Sequence, residues 1–143
     1  MMKKTSLELC NYRLGKAIDM LNQAKLLYEN KQYDGCINRS YYAIFNTIRC
    51  LLALISIDSR KHSGVISFFD RYFVKTEICK TELSKIAHEA FNIRQDSDYE
   101  DFFKPSKEES KQQLNNAILF IEEVKKVKDF IVSKKIPLPK VGD

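Results

Sequence analysis

Two short stretches hold the residues best suited to chemistry. In NRSYYAIFNTIRCLLAL, residues 38–54, Arg39, Tyr42, Asn46 and Arg49 recur at intervals of three and four. On a helix they share one face, while Tyr41, Ile44, Ile48 and Leu51 share the neighbouring one, so one face can pack while the other lines a groove. In FNIRQDSDYEDF, residues 91–102, Arg94, Asp98 and Tyr99 stand where a helical pattern runs into a cluster of acids. An arginine in that setting either pairs with a carboxylate such as Asp98 or faces a phosphate. Asp98 can carry a proton only where its surroundings favour the protonated carboxyl, with Asp96, Glu100 and Asp101 nearby in sequence and Arg94 one helical turn before it. Tyr99 can stack on a base or hydrogen-bond a phosphate, whereas the paired Tyr41 and Tyr42 read first as core aromatics with a hydroxyl to satisfy. The two histidines are His62, in the first turn of a further helix, and His88, which reads as a surface or packing residue.

Familiar catalytic signatures are missing. The chain has no glycine-rich phosphate loop, no HExxH and no G-x-S-x-G. Asp96, Asp98 and Glu100 imitate the opening of a calcium loop, but the sixth position is Asp101 rather than Gly and the twelfth is Lys107 rather than Glu, which rules out an EF-hand. Cysteines 10, 36, 50 and 79 form no C-x-x-C pair. They read as reduced packing residues of a cytoplasmic protein, with no metal site or cofactor expected.

The elements that must position these residues are helical. Leu7, Cys10, Leu14, Ala17, Ile18, Leu21 and Ala24 make one apolar stripe over residues 5–30, with Thr5 and Glu8 spaced for a capping box. A second helix is predicted over 34–56, a third over 60–73 and a fourth over 79–94. The acidic stretch 96–101 follows as a loop. Ser106 and Glu109 then open a last helix that runs to about Val132, and Pro137 and Pro139 prevent its continuation. Residues 1–135 thus read as one all-α domain, an antiparallel up-and-down bundle of four to five helices, and 136–143 as a flexible tail. The second helix is apolar around more of its circumference than the others, which places it at the centre of the bundle or against a second chain.

Composition agrees with this reading. Four glycines and three prolines among 143 residues are too few turn residues for a many-stranded fold, and 44% apolar residues suffice for a core. The longest apolar run, Cys50–Ile55, is far short of a membrane span. A net charge of +5 permits a nucleic-acid partner without establishing one, and most lysines of residues 122–140 belong on the solvated face of the last helix.

Three motifs in order, Ser40–Phe45 (SYYAIF), Lys61–Gly64 (KHSG) and Arg94–Tyr99 (Arg-x-x-x-Asp-Tyr), resemble the compact stand-alone branch of the HEPN family, over residues 7–132. The resemblance implies a helical bundle that forms a homodimer, with the polar motifs of both protomers meeting in a cleft at the two-fold axis. Many members are metal-independent ribonucleases, often toxins partnered with a nucleotidyltransferase antitoxin. Their chemistry uses an arginine followed four to six residues later by a histidine. Here no histidine follows Arg94 at all.

The expected function is therefore that of a HEPN component of a toxin–antitoxin or defence type system, binding or acting on RNA or a nucleotide. Arg94, Asp98 and His62 are the catalytic candidates; Tyr99, Tyr42, Arg39 and Asn46 are the substrate-binding ones. Tyr99 is also a candidate acceptor of an adenylyl group from the partner. The competing expectations are a non-catalytic nucleotide- or protein-binding module, and a helical dimer whose polar motifs only fix its geometry.

Overall fold

Cys10, Leu14, Ala17, Leu21 and Ala24 are all buried and form one stripe of α1 (Lys4–Glu29). The stripe packs on α2 (Tyr33–Leu54), which runs antiparallel to it. The direction is legible in the side-chain contacts between them, Ser6 with Ser56, Cys10 with Cys50, Arg13 with the Arg49 carbonyl and Gln23 with Arg39, which climb one helix as they descend the other. The structure is a computed structural model and describes residues 2–142. The remaining elements are α3 (His62–Phe69), a π-helical turn Asp70–Val74 that continues it, α4 (Thr81–Tyr99) and α5 (Lys107–Val132). No strand occurs among the described residues.

The central helix is α2, which touches α1, α3, α4 and α5. Its buried residues run around the whole circumference, from Cys36 and Ile37 through Tyr41, Ile44 and Ile48 to Leu51 and Leu52. The all-α antiparallel bundle is thus the fold that the apolar spacing predicts. Phe69, Phe73 and Phe120 add large fully buried rings. Phe69 and Phe120 lie 5.6 Å apart between centroids, joining α3 to α5.

Several local expectations need correction. Thr5 and Glu8 form no capping box: α1 begins one residue earlier, at Lys4, and Lys3 is the N-cap with no side-chain bond. The box predicted at Ser106 and Glu109 does form, with both reciprocal hydrogen bonds present. Helix α4 does not stop at Arg94 but continues through Asp96, Asp98 and Tyr99. Acids at a helix C-terminus are unfavourable to its dipole. Here the Arg94–Asp98 contact, one turn apart at 2.8 Å, ties the last turn together. After α5, residues 136–142 have no regular structure, and Ile136 and Leu138 pack against the core.

Candidate functional site

The site begins with Arg94. Its Nη2 donates to the Tyr42 hydroxyl at 3.0 Å, and its guanidinium lies 5.4 Å from the ring centroids of both Tyr41 and Tyr42. The Nε atom is 2.8 Å from Asp98 Oδ2, yet buried and without a well-aligned hydrogen bond. The arginine is therefore clamped between two helices. One carboxylate and two aromatic faces hold its plane, which is the geometry in which a guanidinium presents its remaining N–H groups to a ligand.

His62 comes to the same place from the start of α3. Its Nδ1 is 2.7 Å from the Tyr41 hydroxyl, and its ring stacks on Phe45 with centroids 4.2 Å apart and planes 24° apart. Gly64 helps to hold it there. A Cβ at that position would lie 2.2 Å from Ser59 Oγ, and Ser59 Oγ accepts the backbone N–H of Lys61, the N-cap of α3. The glycine of the KHSG turn is thus needed for a close approach, and the turn sets the first residue of α3, which is His62.

On the far side of Phe45 the chain of contacts continues. The Arg49 guanidinium is 6.0 Å from the Phe45 centroid, and its Nη2 pairs with Asp58 at 2.8 Å. Asp58 also meets Arg13 at 3.3 Å, and Arg13 Nη1 donates to the Arg49 carbonyl. Burial alone would raise the Asp58 carboxyl, but hydrogen bonds from Arg49 and the Ser59 amide, with the charges of Arg49 and Arg13, hold it below the usual carboxylate range. One Asp58 carboxylate serves two arginines, so positive charge remains.

Burial lowers the pKa of His62, and the charges of Arg94 and Arg49 lower it further. The imidazole is accordingly neutral at pH 7. Burial pushes the Tyr41 hydroxyl well above its ordinary value, with Arg94 partly offsetting the effect, so the phenol keeps its proton.

The structure thus brings together Arg94, Asp98, Tyr42 and His62 of the sequence candidates. Arg39 stands one turn before Tyr42 on α2, where its Nε donates to Gln23 at 2.8 Å and its Nη1 to the Asn38 side chain, both uncharged. Asn46 is buried and turns its amide back to the Tyr42 carbonyl at 2.9 Å. Tyr99 is three-quarters exposed and lines a shallow acidic pocket with Asp96, Glu100, Asp101, Phe102 and Phe103, away from the Arg94 contacts. His88 is a surface residue bonded to Asp70 at 2.7 Å. Sequence spacing places Arg49 on the Arg39–Tyr42–Asn46 face but misses Tyr41, Phe45 and Arg13 as members of this cluster. The i, i+4 steps from Tyr41 to Phe45 and Arg49 were the available signal, because they trace one line along α2. Among the described residues no three His, Cys, Asp or Glu side chains are grouped to hold a metal ion.

Comparison with known proteins decides the family. Residues 10–127 match the HEPN domain. The chain belongs to the HEPN family. Among its relatives, "Putative toxin MJ0142" of Methanocaldococcus jannaschii is 35% identical over 85% of this chain and 80% of its own length. "Putative toxin MJ0605" of the same organism is 36% identical over 77% of this chain and 81% of its own. A UPF0332 protein of Thermotoga maritima is 32% identical over 84% of this chain and 91% of its own. The HEPN match begins at Cys10 and ends at Val127, so it takes in every residue of the Arg94–His62 cluster.

Proposed function

We propose that this HEPN chain is a toxin-type component that binds or acts on RNA or a nucleotide through the cluster built on Arg94, Tyr42 and His62. The observation that carries the reading is convergence. Three elements distant in sequence place a clamped guanidinium, a phenol and a neutral imidazole side by side, with Arg49 beyond them, and together these supply donors for a phosphate ester. Arg39, whose partners are uncharged, adds a cation on the same face of α2. The names of the two Methanocaldococcus relatives support the toxin class. A homodimer with the two clusters in one cleft, working beside a nucleotidyltransferase antitoxin, is the assembly that the family resemblance implies.

The test is cleavage and filter binding of end-labelled single-stranded RNA and tRNA in EDTA, with an Arg94→Ala variant whose oligomeric state is checked by sedimentation. Binding or metal-independent cutting that Arg94→Ala weakens by about tenfold or more, as loss of a charged hydrogen-bond donor predicts, supports the reading. Wild-type protein that neither binds nor cuts RNA, and binds no mononucleotide, contradicts it.

A further inference from the structure

We propose that the buried Tyr41 hydroxyl fixes His62 as an Nε2–H donor, so that His62 receives a phosphate oxygen of the ligand rather than serving as the general base. The inference rests on the reading of this cluster as a phosphate-ester site and deepens it by assigning what the imidazole does there.

Tyr41 is 1% exposed and its oxygen is 2.7 Å from His62 Nδ1, so this nitrogen is the close partner of a hydroxyl that is itself out of bulk water. One proton lies between the two atoms. Phenol is the stronger acid of the pair and the imidazole nitrogen the stronger base, so the arrangement O–H···Nδ1 is favoured over N–H···O. Burial keeps Tyr41 protonated, and His62 Nδ1 is the one hydrogen-bond partner its hydroxyl has among the described residues, so the O–H points at that nitrogen. A neutral imidazole that accepts at Nδ1 carries its hydrogen on Nε2. No other residue takes up that hydrogen: among the described residues Nδ1 has a partner and Nε2 has none.

The ring cannot easily flip to exchange the two nitrogens. It is held face to face with Phe45, in near-parallel contact with Tyr41 at 5.8 Å and edge-on to Tyr42 at 5.9 Å. The groups around it are arranged for the same task. Tyr42 accepts from Arg94 and so has its own O–H to give, and the Arg94 and Arg49 guanidiniums can only donate. A phosphate at this point meets N–H and O–H groups from several directions. Tyr41 is then a positioning residue, acting through His62.

Two histidines in the whole chain make the proposal directly measurable by long-range proton–nitrogen correlation on tag-free 15N-labelled protein at pH 7.5, with His62→Gln used for assignment. The expected spectrum shows His62 with an unprotonated Nδ1 and a protonated Nε2. In Tyr41→Phe, with the fold checked by circular dichroism, the two nitrogen signals move toward each other as both tautomers become populated. A wild-type His62 protonated on Nδ1, or a tautomer indifferent to Tyr41→Phe, overturns the proposal.

Binding of a short single-stranded oligoribonucleotide supplies the second arm. Glutamine places its amide near the position of Nε2, so His62→Gln should retain affinity within about threefold while His62→Phe loses about tenfold, the difference being one hydrogen bond to a charged group. Equal losses in both variants overturn the donor role. Absence of binding by wild type, with the tautomer found as expected, counts against the phosphate-ester reading and leaves the Tyr41–His62 pairing standing.

Discussion

Arg94 is held by four groups, so its replacement acts on shape as well as charge. Lysine would keep the charge but not the planar fork that reaches Tyr42 while lying on two rings, so Arg94→Lys should bind RNA almost as poorly as Arg94→Ala. His62 gives a second residue-scale prediction, in pH. Its folded pKa lies below the ordinary value of 6.5, so the unfolded chain binds the proton more readily than the folded one. The stability this supplies is present above about pH 6.5 and is lost as pH falls through the lower folded value. Urea midpoints should therefore decline on acidification through that window, and decline less in His62→Gln. Equal slopes in the two proteins would show that His62 does not titrate as described. Asp58, also lowered, contributes only at more acidic pH.

Arg94, Asp98, Tyr42 and His62 were legible because each stands in a short motif. Tyr41 was legible as the inward-facing tyrosine, on the face of Ile44, Ile48 and Leu51, but not as a partner of His62, because helix spacing does not say how the start of α3 meets α2. Asn46 shares a helix face with Tyr42 in sequence spacing, yet its amide returns to the backbone of its own helix, a choice that spacing cannot reveal.

At the scale of elements, two sequences with the same S/T-x-x-E pattern behave differently. Ser106 and Glu109 close a capping box on α5, whereas Thr5 and Glu8 lie inside α1. Ser106→Ala should cost about 1 kcal/mol in urea denaturation, and Thr5→Ala much less than that, because only one of them caps. The turn before α3 is more demanding. Gly64→Ala puts a methyl group into Ser59 Oγ, so either the Ser59–Lys61 hydrogen bond breaks or α3 shifts. The expected result is a loss of about 1 kcal/mol or more together with a displaced His62 signal; an unchanged His62 spectrum would show that the turn does not position the ring.

Helix periods were readable throughout because the apolar stripes are regular. The end of α4 was not, because dipole and charge argue for stopping where an ion pair within the same helix, Arg94–Asp98, spans its last turn.

For the molecule as a whole, charge is distributed unevenly around the site. Arg13, Arg39, Arg49 and Arg94 outnumber Asp58 and Asp98 along the α2 face, while Asp96, Glu100 and Asp101 gather at the end of α4 with the exposed Tyr99 and Phe102. A polyanion is drawn to the first region and repelled from the second. RNA should therefore approach along α2 and the start of α3, and Asp96→Asn with Glu100→Gln should tighten binding modestly at low salt. No helix among the described residues is long and apolar enough to cross a membrane.

The central claim is that Arg94, Tyr42 and His62 form one phosphate-ester site. It is tested most directly by titrating 15N-labelled protein with a short single-stranded oligoribonucleotide while following the Arg94 side-chain Nε and the His62 ring nitrogens. The account predicts saturable shifts of both signals with one shared affinity, which Arg94→Ala abolishes at His62 as well. Shifts confined to backbone amides of the lysine-rich end of α5, with the Arg94 and His62 signals unmoved at saturation, would contradict it.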